Sequence, residues 1–484
     1  MSGQASIPQP SSAALAELLG LRHGAPVAPG EVTIRGRDPF FKSPFRIGET
    51  TAASLAAVGV AANDIWEIRT GRRQRIEVSV REAAATLRTG DYTVKRDDTG
   101  AYRHIPLPDA QAHMLTVTQP WPTLDGRYFL PHLNLSNLAA RVLGVLKCEN
   151  TPSAVSTAVG RWNADALEYA IAQARACGGT IRSQTEWLAH PQGSYLAGRA
   201  AVEIERIGEA APQAFDAGDR PLSGVRVLDL TRILAGPMSG RTLAEQGADV
   251  LMVTEKNLPQ TPEHVRDTSH GKRSCFLDLK IAEDATRFAD LARTADVIID
   301  GYRPGALSSL GFGVERFAAL RPGIIYLSVS CFGSGGPFAT RAGWEQIAQS
   351  VTGVCLTQGE AIGADQPKLV PAPMCDYNTG YLAAYGAMLA LARRASEGGS
   401  WKVTASLCQS AMFIQRQGLL HEFANAPEVL SQAELGGCYV SADTCYGALK
   451  TLGPALHMSE TAPHWSRTTP LLGGDNPEWL SHPT

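Results

Sequence analysis

The chain has 484 residues, 44% of them hydrophobic, and ordinary domain sizes predict roughly two to four domains with a large buried core. The formal net charge is -3 and Lys and Arg are dispersed, which argues against nucleic acid as the main partner. No run approaches the roughly 18 apolar residues of a membrane span, and the first twenty residues lack the basic-then-apolar order of a secretory signal. We therefore expect a soluble, cytoplasmic protein that acts without a membrane.

The N-terminal part echoes a later segment. A shift of 327 positions places residues 48–60 over 375–387 and residues 71–84 over 398–411 without a gap, and both copies predict a helix of small residues, a turn and a strand. Glu49 then stands where the second copy has Asp376. The positions identical in both copies are Leu55 and Leu382, Ala56 and Ala383, Ala57 and Ala384, Gly59 and Gly386, Gly71 and Gly398, Ser79 and Ser406, and Ala84 and Ala411.

A separate smaller domain is predicted between the two copies. Residues 125–146 indicate a turn, a strand and a helix, and residues 162–193 indicate two helices joined through Gly178-Gly179. The following stretch, 209–222, is rich in Ala, Asp, Gly and Pro and predicts a linker.

From Val225 the pattern changes to alternating strands and helices. VRVLDL predicts a buried strand, SGRTLAEQG a helix that ends at Gly247, and ADVLMVTE the next strand. ADVIID and GIIYLSVS predict two more β-branched strands, each preceded by a helix. The expected fold is α/β, with a doubly wound, mostly parallel Rossmann-like sheet and a smaller α+β domain.

The loop after the first of these strands, TRILAGPMSG, has Gly236 and Gly240 but lacks the Gly-x-Gly-x-x-Gly spacing that lets a backbone approach a dinucleotide. A nicotinamide site is therefore disfavoured. The loop still lies at the carboxyl end of a strand and before a helix, where open α/β sheets bind ligands and helix amides attract phosphate.

One carboxylate, Asp376, precedes a run of small and apolar residues in PMCDYNTGYLAAYGAML. Asp is a common N-cap residue, so its simplest role is to cap the helix that follows. The neighbouring Cys375 is a second candidate for chemistry, although no His stands near it in sequence and a free Cys usually behaves as a small buried hydrophobe. Nine scattered cysteines without a Cys-x-x-Cys pair predict reduced thiols and no metal site.

Five motifs in order make the segment 225–411 similar to a known family: VRVLDLTRILAGPMSGRTLAEQGADVLMVTE, HGKRSCFLDLK, ADVIIDGYRPGALSSLGFG, SCFGSGGPFATRAGWEQIAQSVTG and CDYNTGYLAAYGAMLALARR. They resemble the class III CoA-transferases, also called the CaiB/BaiF family, which includes formyl-CoA and carnitine CoA-transferases. The remainder resembles the family out of its usual order, as a partial duplication or fusion. The expected segments are a partial large-domain repeat (1–120), the small domain (121–208), the linker (209–222), the CoA-binding large domain (223–415) and a C-terminal return (416–484).

The resemblance implies an acyl-CoA:carboxylate CoA-transferase, a transferase of sulfur-containing groups. Asp376 matches the family's nucleophile, which forms an acyl-aspartyl anhydride and then an aspartyl-CoA thioester in a site that excludes water. Gly380, Ala383 and Gly386 would let the helix pack closely while its first turn holds the nucleophile near free amides. Glu345 matches a Glu that positions reacting groups in transferases, whereas the family's racemases carry a His near this place.

The resemblance also implies the substrates and their contacts. A CoA thioester and a carboxylic acid are the partners, no cofactor is bound permanently, and the family's dimers suggest a homodimer. The CoA contacts implied are Ile233, Leu234 and Ala235 at the thioester end, Lys256 and Lys280 at the phosphates, Leu277 at adenine, and Ser309 and Leu310.

Three alternatives stay open. In a CoA-ester isomerase or racemase, Asp376 would be an acid or base with Glu345 as its partner. A non-catalytic CoA-ester binding protein is compatible with the irregular domain order. A nicotinamide-dependent oxidoreductase comes last, because its glycine fingerprint is absent.

Overall fold

The computed structural model describes residues 13–259 and 261–480. The first twelve residues of the predicted segment 1–120 and the last four of the predicted segment 416–484 lie outside the described residues. Within the described ranges, no helix is both long and apolar enough to cross a bilayer.

The N-terminal part contains a long buried helix between two short parallel strands. Its elements are α1 (Ala13–Leu19), β1 (Val32–Arg35), α2 (Ile47–Thr70), β2 (Ile76–Ser79), α3 (Val80–Thr86), α4 (Thr89–Tyr92), β3 (Val94–Arg96), β4 (Tyr102–His104) and α5 (Asp109–Val117).

The next part coincides with the segment 121–208 predicted as the small domain, and we keep that name for it. It contains a small antiparallel sheet, β5-β6-β7, covered by helices around its own apolar cluster. Its elements are β5 (Trp121–Pro122), β6 (Tyr128–Pro131), α6 (Ser136–Leu146), α7 (Pro152–Val159), α8 (Ala164–Gln173), β7 (Gly178–Thr180), α9 (Gln184–Ala189), α10 (Pro191–Ala197) and β8 (Glu203–Gly208). Gly178 and Gly179, expected as a joint between helices, instead begin β7. A Cβ at Gly178 would lie 2.7 Å from the ring of Phe129, so the close strand contact requires glycine. Residues 209–222 contain no helix or strand.

The segment 223–415, predicted as the large domain and called so below, follows. Its elements are β9 (Arg226–Asp229), α11 (Ala235–Glu245), β10 (Asp249–Thr254), α12 (Pro262–Thr268), β11 (Lys272–Phe276), α13 (Ala282–Ala292), β12 (Val297–Asp300), α14 (Ala306–Ser309), α15 (Val314–Leu320), β13 (Ile325–Ser330), α16 (Glu345–Val351), α17 (Val354–Ala361), α18 (Met374–Glu397), β14 (Ser400–Ser406) and α19 (Leu407–Gln415). The chain then forms α20 (Gln432–Leu435), a 3-10 turn (Gly436–Cys438), β15 (Tyr439–Thr444), β16 (Gly447–Leu452) and β17 (Leu456–Met458).

The central sheet has seven strands in the order β11-β10-β9-β12-β13-β14-β8. The first six are parallel to their neighbours, as β-branched runs joined by helices predict, and β8 is antiparallel at one edge. The mostly parallel α/β fold predicted from the sequence is confirmed. The chain builds outward from β9 to β11 and then crosses to β12, so the strand order reverses between β9 and β12. Open α/β sheets bind ligands at such a switch point.

The two copies found in the sequence fold alike. Helices α2 and α18 each have 24 residues, and the shift of 327 positions superimposes both of their ends. Each helix is followed by a glycine at positive φ, Gly71 at 73° and Gly398 at 70°, a conformation that residues with a Cβ rarely adopt. After this turn, β2 and α3 correspond to the end of β14 and most of α19.

Each copy's sheet is completed by a strand that follows the other copy. Strand β2 pairs in parallel with β1 and antiparallel with β17, which comes after the second copy. Strand β14 pairs in parallel with β13 and antiparallel with β8, which comes after the first copy. The segments that follow the two copies also pair with each other, because β16 pairs with β3 in a four-stranded sheet. We call this arrangement the strand exchange.

Candidate active site

A cavity of about 250 Å³ lies at the carboxyl ends of β9, β12, β13 and β14, at the switch point of the sheet. Asp376 lines it, together with Leu135 and Leu138 of the small domain. The other lining residues are 230–236, 301–304, 329–331, 341–344 and Leu407. Of the residues predicted from the sequence, the structure therefore brings together Asp376, Ile233, Leu234 and Ala235.

Glu345 supports the start of helix α18 from the neighbouring helix α16. Its Oε1 accepts hydrogen bonds from the Cys375 amide (3.2 Å) and from Gln349 Nε2 (2.7 Å), and its Oε2 accepts one from the Asp376 amide (2.6 Å). The expectation that Asp376 caps its own helix was wrong, because Asp376 is the third helical residue and Pro373 occupies the cap position. The expected free amides beside Asp376 are likewise occupied. A carboxylate brought in by tertiary packing does the capping.

The two carboxylates share a buried environment. Asp376 is 8% exposed and Glu345 is 5% exposed. Burial raises the pKa of Asp376 well above its usual value and the negative charge of Glu345 adds to the effect, while burial also raises the pKa of Glu345. Three nitrogen donors favour ionised Glu345, whereas no described residue donates to the Asp376 carboxylate, so burial favours the protonated form of Asp376 more than that of Glu345.

Unoccupied backbone amides are found instead at the start of helix α11. The amides of Ala235 and Gly236 make no backbone hydrogen bond among the described residues, and both residues line the cavity. The positive end of the α11 dipole therefore faces the space beside Asp376, where it favours negative charge. The two helices approach closely here, since a Cβ at Gly380 would lie 2.5 Å from Met238 Cβ. The small residue at 380 thus serves the close packing predicted for it.

A fully buried ion pair fixes the loop before α11. Lys272 Nζ lies 2.7 Å from Asp229 Oδ2 and also donates to the Pro237 carbonyl at 2.7 Å. Asp229 Oδ1 accepts from the Thr231 amide (3.0 Å) and hydroxyl (2.5 Å). Ile233, two residues further, has φ of +75°, which is rare for a β-branched residue. Sequence reasoning missed this pair, although a charged residue inside each of two buried strands was a signal for it.

Three arginines, also missed, line the cavity: Arg232, Arg303 and Arg341. Arg303 donates to the Arg175 carbonyl (3.0 Å), and Arg341 lies 3.4 Å from Glu168 and over the ring of Phe338. The cavity therefore combines one carboxylate with three guanidinium groups, which favours anionic ligands.

The other predicted CoA contacts lie on the same edge of the sheet but outside the cavity. Lys256 follows β10, Leu277 and Lys280 follow β11, and Ser309 and Leu310 follow β12. All except Leu277 are exposed, and Leu277 is 5% exposed within an apolar cluster. The structure does not bring these five side chains to Asp376, and their roles stay predictions.

A histidine of the small domain approaches the segment 344–346. The ring of His132 stacks on Trp344 with centroids 4.9 Å apart, and its Nε2 lies 3.1 Å from Gln346 Oε1. Burial lowers the pKa of His132 to about 4, so the ring is neutral near pH 7. Burial also raises the pKa of the Cys375 thiol well above its usual value, which disfavours this thiol as a nucleophile. Among residues 13–259 and 261–480, no group of three or more His, Cys, Asp or Glu could hold a metal ion.

Comparison with known proteins connects this site to one family. The sequence profile described as CoA-transferase family III matches residues 222–483. The chain is 31% identical over 321 residues to acetyl-coenzyme A transferase nodX of Hypoxylon pulicicidum, covering 62% of this chain and 54% of that protein. It is 33% identical over 231 residues to succinate–glutarate CoA-transferase of Agrobacterium fabrum, covering 43% and 56%.

Among solved structures, a CaiB/BaiF family protein from Brucella suis is 28% identical, with a TM-score of 0.37 over 48% of this chain and 65% of that one. The chain spans about half the length of the curated relatives it matches.

Proposed function

Because the chain belongs to CoA-transferase family III, we propose that it transfers CoA from an acyl-CoA donor to a carboxylic acid, with Asp376 as the nucleophile. The observation that carries the proposal is the position of Asp376 in the cavity at the switch point, which residues with unoccupied amides at the start of α11 also line, with Glu345 bound to the Asp376 amide. The relatives named as CoA-transferases support the same activity.

The first half of the reaction forms a covalent adduct. Asp376 reacts in its ionised form, so the proton that burial favours on it has to leave to solvent before the attack. A carboxylate oxygen of Asp376 then attacks the thioester carbonyl, the carbon–sulfur bond breaks, and CoA leaves as the thiolate. The thiolate then attacks the aspartyl carbonyl of the mixed anhydride, which releases the donor acid and leaves an aspartyl-CoA thioester. Ala235 and Gly236 line the same cavity as Asp376, so their amides and the helix dipole are available to stabilise the oxyanions formed in both steps.

The second half repeats these steps in reverse. The acceptor carboxylate attacks the aspartyl thioester and displaces the thiolate, and the thiolate attacks the acceptor carbonyl of the new anhydride. The new acyl-CoA leaves and Asp376 is restored as a carboxylate. Glu345 holds two amides of the first turn throughout, so its role is to position Asp376.

Mass spectrometry of the protein after incubation with a panel of acyl-CoAs tests the proposal. We expect a CoA-sized adduct on the peptide that contains Asp376, and we expect Asp376→Asn to lack it. Absence of an adduct with every donor, in a protein that still binds CoA, would contradict the proposal.

One observation favours a second candidate, a CoA-ester isomerase. The pKa of Asp376, raised well above its usual value by burial and by the charge of Glu345, suits an acid or base that moves the proton alpha to the thioester. Exchange of substrate alpha-protons with deuterated solvent, followed by NMR, distinguishes the two reactions, since CoA transfer needs no such exchange.

The homodimer and the cytoplasmic location stay predictions. The mass of the protein in solution, by light scattering, tests the first, and fractionation of the source cells tests the second.

A further inference from the structure

Arg232 is the cavity arginine whose hydrogen-bonding capacity is least used. Its Nε and Nη2 atoms are buried and have no acceptor among the described residues. Tyr302 and Glu255 are the ionisable groups near it, and neither makes a hydrogen bond to it. Buried donors without partners are unfavourable, so a ligand that supplies acceptors would be bound here with a gain in stability.

The two unpaired donors lie on one edge of the planar guanidinium group. Nε–H and one Nη2–H point in the same direction and form a fork that matches the two oxygens of a carboxylate. A lysine carries the same charge but cannot form this fork. The edge therefore favours an anion that presents two oxygens, a carboxylate or a phosphate, and does more than supply positive charge.

The backbone on both sides of Arg232 is held in place. The Thr231 amide donates a hydrogen bond to Asp229, which forms an ion pair with Lys272. On the other side, Ile233 has a φ of +75° two residues before α11. Arg232 is thus presented from a fixed loop into the cavity that contains Asp376. A site held in this way selects ligands by the placement of their charged groups.

We propose that Arg232 binds the free carboxylate of a dicarboxylic substrate whose other carboxyl group reacts at Asp376. The inference rests on the proposed CoA transfer and specifies its substrate class. A monocarboxylic substrate leaves the fork unpaired, and sites built to pair a polar group discriminate strongly against ligands that lack it.

The test compares succinyl-CoA with butyryl-CoA, which have four-carbon acyl groups and differ in the free carboxylate. The variant Arg232→Lys keeps the charge and removes the fork. We expect kcat/KM for succinyl-CoA to fall about 10²-fold and that for butyryl-CoA to change little. Arg321→Lys, at a half-buried arginine paired with Asp296 outside the cavity, is the matched control and should keep the preference.

Two further measurements separate this inference from the proposed transfer. Calorimetric binding of free CoA should be equal in the wild type and Arg232→Lys, and a selective loss of CoA affinity would overturn the proposal by assigning Arg232 to the CoA phosphates. Binding of succinate and of butyrate to the CoA-loaded proteins, by saturation-transfer NMR, gives a readout without turnover. If Arg232→Lys binds succinate as well as the wild type does, the inference is wrong, even when the adduct on Asp376 forms normally.

Discussion

The two 24-residue helices, α2 and α18, are capped in the same way but differ in the space beside their first turns. In the second copy Glu345 accepts the Asp376 amide, and in the first copy Asp38 Oδ2 accepts the amide of Glu49 at 2.8 Å. Under the shift of 327 positions these are the same amide. A buried carboxylate from an earlier segment therefore supports the start of both helices.

Of these two helices, only α18 contributes a residue, Asp376, to the lining of the cavity at the switch point. Glu49 is paired with Arg46 at 2.8 Å, and the side chain of Glu49 is 29% exposed. The first copy belongs to a three-stranded sheet, whereas the second adjoins β9, its fixed loop and the start of α11. A helix that carries a carboxylate in its first turn and is capped by a buried carboxylate therefore has a structural role in both copies. The candidate chemistry also requires β9, its loop and the start of α11, and the first copy has no equivalent of these elements beside it.

Removing each copy's carboxylate should have the most unequal effect. We expect Asp376→Asn to lower kcat for CoA transfer by about 10⁴-fold or more, because the covalent route is lost. Glu49→Gln should change kcat less than about twofold. Steady-state kinetics with one donor and acceptor pair measure both, and a large loss in Glu49→Gln would mean that the first copy takes part in the reaction.

The second largest difference is expected in the stability lost when the ion pair near each helix is broken. Lys272→Met leaves Asp229 buried without its partner and should destabilise the large domain by about 3–5 kcal/mol, with faster hydrogen exchange in residues 230–237. Breaking the half-buried Arg46 and Glu49 pair with Glu49→Gln should cost less than about 1 kcal/mol. Thermal melts and exchange mass spectrometry provide the comparison, and similar losses in both variants would contradict it.

The supporting carboxylate of the first copy should make stability depend on pH. Burial raises the pKa of Asp38 from 3.8 to about 7, so the folded protein holds this proton more tightly than the unfolded chain. The unfolding free energy should therefore fall as pH rises from about 4 to about 7, by up to roughly 4 kcal/mol. Asp38→Asn keeps an acceptor for Glu49 and cannot ionise, so melts across this range should show a smaller fall. An unchanged slope would assign the pH dependence to other groups.

The smallest difference is expected where the copies are packed alike. Gly59 and Gly386 occupy equivalent positions, and a Cβ would lie 2.8 Å from Ile76 in one copy and 2.6 Å from Val403 in the other. Ile76 and Val403 are themselves equivalent under the shift. Gly59→Ala and Gly386→Ala should each cost about 1–2 kcal/mol by overpacking, with nearly equal melting temperatures. A loss confined to one variant would show that the packing of the copies has diverged.

The features that could be predicted from local sequence patterns are those that neighbouring residues determine, such as the strands of the sheet. The β-branched runs predicted the parallel strands. The resemblance to the CoA-transferase family, rather than a local pattern, implied that Ile233, Leu234 and Ala235 would lie at the thioester end of the site that contains Asp376. The capping of α18 was mispredicted because Glu345 lies 31 residues before Asp376 and reaches it only through the packing of α16. His132 and Arg232 were missed for the same reason, since their neighbours come from other segments. Strands β8 and β17 carry no local signal for the partner that each pairs with.

The strand exchange determines which fragments of the chain can keep their sheets complete. The family match begins at residue 222, after β8 and after the whole first copy. A fragment that starts there would leave the edge of β14 bare and β17 without β2, and bare strand edges invite aggregation. The region that matches the family is therefore structurally incomplete without the N-terminal half, which supplies the strand beside β14 in one sheet and the strand beside β17 in another.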